Sequence, residues 1–103
     1  MPGFGLSVER RLVSTTDRLK RARVELADVT SQLELARHAA DEARTAALVQ
    51  GGNAKRESTA ASRTVQRLEK VREKLNAEVS ELTQRQDELL DSLPPTRPSQ
   101  ARS

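Results

Sequence analysis

Residues 8–47 read VERRLVSTTDRLKRARVELADVTSQLELARHAADEARTAA, and apolar or small side chains recur in them at alternating spacings of four and three. One set falls on Leu12, Leu19, Leu26, Leu33, Ala40 and Ala47; the other falls on Val8, Thr15, Ala22, Val29, Ala36 and Ala43. Two inward positions in every seven residues make a stripe of period 3.5, just short of the 3.6 residues of a helical turn. Held in phase for this long, the stripe demands a second helix lying along it in a left-handed coiled coil. The spacing predicts a first helix over residues 7–49 with Ser7 as its N-cap. An irregular segment, 1–6, should precede it, because Pro2, Gly3 and Gly5 fall there.

The partner helix lies in the same chain. The ladder stops at Gln50-Gly51-Gly52-Asn53, and glycine takes the left-handed conformation that ends helices. Asn53 is a candidate cap for the next helix. A second ladder then runs through Ala54, Ala61, Leu68, Leu75, Leu82 and Leu89, with Ser58, Val65, Arg72, Val79, Gln86 and Leu93 as its other set. Pro94-Pro95 ends it, since a proline ring lacks the N–H a helix needs. The second helix is expected over 54–92, and the tail 94–103 (PPTRPSQARS) is expected to be disordered.

Folding back at residues 50–53 pairs positions whose numbers add to 101. Leu12 then meets Leu89, Leu19 meets Leu82, Leu26 meets Leu75 and Leu33 meets Leu68. Ala22 meets Val79, Ala47 meets Ala54, and polar Thr15 meets polar Gln86. Only Val29 opposite Arg72 mismatches, and an arginine stem can lie along a seam with its head in water. Charge agrees at the level of blocks: residues 1–24 carry +4, 25–50 carry −3, 51–75 carry +4 and 76–93 carry −4. A parallel in-register dimer would stack like on like. The nearest flanking pairs are less favourable, because Arg18 faces Arg85 and Glu25 faces Glu78, and only their diagonals, such as Arg18 with Glu78, are attractive. The expected architecture is therefore all-α: two long helices in an antiparallel coiled-coil hairpin roughly 60 Å long at 1.5 Å per residue. Opening the glycine turn would let two chains exchange helices, so a four-helix bundle or helix-swapped dimer is the open alternative.

Composition narrows the chemistry. The 103 residues contain no Cys, Trp or Tyr and one aromatic, Phe4. Without cysteine there is no disulfide and no thiolate metal site. No run nears the roughly 20 apolar residues of a membrane span. The N-terminus lacks the basic and apolar regions of a cleaved signal, so a cytoplasmic protein is expected. Arg outnumbers Lys fourteen to four, the bias of a GC-rich, bacterial coding sequence.

His38 is the one histidine, and Glu34, Asp41 and Glu42 share its helix face at i±3/4 spacing. Such residues are read as ordinary solvated side chains in preference to a metal site. No nucleophile–base constellation and no phosphate-cradling loop occurs, and a two-helix rod offers no deep pocket. No catalysis, cofactor or small-molecule substrate is expected.

Surface patterning points to binding. Val13, Val24 and Leu35 lie off the ladder at spacings of eleven, about three helical turns, with Ala46 continuing the row. They form a candidate stripe for docking a partner helix or a second copy. Phe4 and Leu6 are candidates to cover the open end or to anchor a partner. The expected function is a non-catalytic interaction or scaffolding module acting through homo-oligomerisation or through a docked protein partner. The alternative is a basic hairpin that grips nucleic acid or the ribosome through phosphates, using Arg18, Arg21, Arg23, Lys55, Arg56, Arg63 and Arg67, with Arg97 and Arg102 of the tail adding weak attraction. Against it stand the facing acidic blocks and the lack of aromatics to stack on bases.

The plan of two helices about a central glycine turn resembles in outline the small secreted WXG-type hairpins. The turn here is Gln50-Gly51-Gly52-Asn53, without their tryptophan, and there is no tyrosine for their export motif. A small secreted hairpin factor is accordingly the weaker alternative. The helical arms of some tRNA synthetases and polymerase secondary-channel factors share the shape, but the latter have acidic tips where this chain has Asn53-Ala54-Lys55-Arg56. Shape alone licenses no function.

Overall fold

The computed structural model describes residues 2–93, and side chains from Ser7 onward. Two helices, α1 (Pro2–Gln50) and α2 (Asn53–Ser92), pack against each other as an antiparallel hairpin. The molecule is a rod of 73 × 29 × 14 Å, the length expected of a 49-residue helix at about 1.5 Å per residue. It is longer than the sequence predicts because α1 starts at Pro2 instead of Ser7. Proline suits the first helical turn, where its missing N–H is not needed. Ser7 thus lies inside the helix and is not its cap. The side chains of Phe4 and Leu6, and the tail 94–103 with Arg97 and Arg102, lie outside the described residues.

Every ladder position of both helices is buried or half-buried. Leu19 and Leu33 are the most deeply enclosed, at 1% exposure each. Leu19, Ala22 and Leu82 form a buried cluster, with Val79 packed against it, as the pairing sum requires. Fully burying such a leucine is worth about 1.5–3 kcal/mol. Thr30 and Thr83 flank the seam half-buried, and each hydroxyl donates to the carbonyl four residues back, Leu26 and Val79, at 2.7 Å. That local bond lets a polar side chain sit beside an apolar seam without losing a partner.

The two polar core residues differ in how they are satisfied. Thr15 is buried, and the Gln86 amide donates to the hydroxyl of the neighbouring Thr16 at 3.0 Å. Thr16 is one position outside the seam, where a long amide can bond it while staying partly solvated. Arg72 and Val29, the mismatched pair, are both half-buried.

The turn is built by glycine backbone. Gly51 has φ +66° and its N–H donates to the Ala47 carbonyl at 3.0 Å, closing α1 in the left-handed manner. Gly52, at φ 56° and ψ −120°, is the N-cap of α2 and starts a tight turn in which the Ala54 N–H donates to the Gly51 carbonyl at 3.1 Å. A Cβ added at either glycine would meet open space, so the demand for glycine is conformational and not steric crowding from neighbours. Asn53 is the first residue of α2, and no side-chain hydrogen bond caps that helix. The expected Asn53 cap is replaced by the backbone turn itself, with the Lys55 N–H donating to the Gly52 carbonyl at 3.0 Å.

Candidate interaction surface

A two-helix rod has one internal seam, and everything else is surface. Along the outer face of α1, Val13 and Val24 are each 61% exposed and Leu35 is 72% exposed. Ala46, the expected continuation of that row, is half-buried. At 11-residue spacing the three large side chains recur about every 16 Å along the helix. At the tip, Leu48 and Val49 are more exposed still, at 85% and 83%. Sequence reasoning passed over this pair. Their signal was present, since both fall off the ladder in the last turn before the glycines, where nothing on α2 can reach them.

The charged side chains make few bonds with one another. Arg37 donates to Glu69 across the helices at 2.9 Å, and Arg44 pairs with Asp41 within α1 at 3.3 Å. The Arg37–Glu69 pair is exposed on both sides and so contributes a few tenths of a kcal/mol. Glu69→Gln should therefore lower stability by less than about 1 kcal/mol, with the difference vanishing at high salt, as read from denaturant midpoints. His38 Nε2 lies 3.9 Å from Glu42 Oε2, both side chains more than 70% exposed. Among the described residues, no group of three potential metal ligands gathers there or elsewhere.

The seven cations considered as phosphate contacts are distributed over both helices. Arg18 and Arg21 line a groove that also holds Glu25 and Glu78. Arg23, Lys55, Arg56, Arg63 and Arg67 are exposed. Arg18 also lines a second groove with Arg10, Arg11 and Arg85. Both grooves are solvent-open troughs along the rod, shallow beside the enclosed pockets that bury a substrate. Among the described residues, no helix is long and apolar enough to cross a membrane. No protein-family model matches this chain, and comparison with curated proteins and with solved structures gives no match.

Proposed function

We propose that this chain is a non-catalytic coiled-coil interaction module that associates through the outer face of α1, with a second copy of itself or a partner helix as the occupant. The observation that carries the reading is the row Val13, Val24 and Leu35, which keeps well over half of each side chain in water. A lone seam between two helices buries little apolar surface for a chain of this length, so further burial along the rod is the direct route to added stability. The open, charged grooves support binding in preference to chemistry.

The test is solution mass by light scattering over a roughly hundredfold concentration range, detected by refractive index because the chain has no Trp or Tyr. Self-association should raise the mass above the single-chain 11.4 kDa as concentration rises. Val24→Glu combined with Leu35→Glu should return it to one chain with helicity unchanged, because both side chains lie outside the seam. A wild-type mass fixed at one chain, or association indifferent to the double substitution, would remove self-association through this face. The competing proposal, a strand gripped through phosphates, has a different sign: affinity for RNA or DNA that falls steeply with salt.

A further inference from the structure

Four arginines share one groove at the open half of the rod. Arg10, Arg11 and Arg18 from α1 and Arg85 from α2 line one groove of about 520 Å³, and no carboxylate lines it. None of the four has an ion-pair partner within 4.0 Å among the described residues. The chain has no acidic side chain outside those residues, because all of its Asp and Glu lie between Glu9 and Asp91. Arg18 and Arg85 also occupy the positions that flank the seam, where hairpins of this kind gain by placing opposite charges. Like charges there repel, and a bound anion would turn that repulsion into attraction. The floor of the groove includes buried Thr15 and Leu89, which exclude water from one side.

The same edge says what kind of anion fits. One heptad further along, about 10 Å away, the flanking pair is Glu25 with Glu78, and both line the next groove. A nucleic-acid strand running along the edge would leave the arginines only to meet two carboxylates. A compact, multiply charged phosphate fits within the groove whose lining holds the four arginines and no carboxylate, and planar guanidinium groups bind phosphoryl oxygens two at a time. We propose that the Arg10–Arg11–Arg18–Arg85 groove is a binding site for a compact polyphosphate anion of the di- or triphosphate class.

Inorganic tripolyphosphate is the probe, titrated into the full chain by calorimetry at about 20 mM salt, where surface electrostatics are least screened. Binding should weaken by about tenfold or more in Arg18→Gln/Arg85→Gln, whereas Lys70→Gln/Lys74→Gln, which removes equal charge elsewhere, should stay within about twofold. A second readout guards against loss of folding: Arg85→Glu gives Arg18 an opposite charge, so it should melt above wild type without ligand and no longer gain Tm when tripolyphosphate is added. The proposal is overturned by absence of binding at low salt, by equal losses in both double variants, or by an Arg85→Glu protein whose Tm still climbs with tripolyphosphate. It is equally overturned if a twelve-residue oligothymidylate binds more tightly than tripolyphosphate at equal phosphate concentration, since an extended strand would then be the occupant.

Discussion

Replacing both turn glycines, Gly51→Ala with Gly52→Ala, should convert the hairpin into an extended, helix-swapped species. Gly51 sits at φ +66° and Gly52 at φ 56°, ψ −120°. A left-handed conformation costs an L-residue roughly 1–2 kcal/mol, and the Gly52 region is strained further for any side chain. Alanine is also the best helix former, so the same change that penalises the turn favours one continuous helix through residues 47–54. The seam contacts are then recovered between chains, because an antiparallel pairing is the same in cis and in trans. The radius of gyration in solution scattering should rise from 22.6 Å towards roughly 40 Å, the value for a rod of about 90 residues at 1.5 Å each. Helical content by circular dichroism should hold or increase. A variant that keeps the compact radius and the wild-type melting temperature would show that the turn does not depend on glycine.

Two leucines only two positions apart should respond in opposite ways. Leu33 is 1% exposed in the seam, and Leu35 is 72% exposed on the outer face. Leu33→Ala removes buried methyl groups and leaves a cavity beside α2, which costs about 2–5 kcal/mol. For a domain this small that is a large share of total stability, and Tm should fall by on the order of 10 °C or more. Leu35→Ala removes a side chain already in water, so the change should stay within about 0.5 kcal/mol. Thermal melts of the two proteins at the same low concentration make the comparison. Similar losses at both positions would mean that Leu35 is covered in solution, which is what self-association through α1 demands at higher concentration.

The interaction surface was only partly legible from the chain. Val13, Val24 and Leu35 stand out because each breaks the ladder on the side facing away from the partner. Leu48 and Val49 escaped notice because a pair of apolar residues beside a glycine turn reads as the end of the helix. The arginine groove was hidden for a different reason. Arg10 and Arg11 had drawn no attention beside the denser run at residues 18–23, and Arg85 is a lone cation in an acidic stretch. The pairing sum already sets Arg85 opposite Arg18, and what the folded rod adds is that Arg10 and Arg11 line the same groove.

By itself the sequence determined the number of helices, their antiparallel order, the position of the turn and the identity of the seam. Those features come from a seven-residue repeat renewed in every heptad and ended by glycines and prolines, so that chance errors at single positions average out. The tertiary structure alone decided where α1 begins, that Gln86 bonds Thr16, that backbone and not Asn53 starts α2, and that Arg10 and Arg11 join Arg18 and Arg85 in one groove. Each of these turns on differences of about 1 kcal/mol between alternative caps, rotamers and flanking partners. No repeat reinforces such choices, and long side chains at the edge of a seam settle them only once both helices are in place.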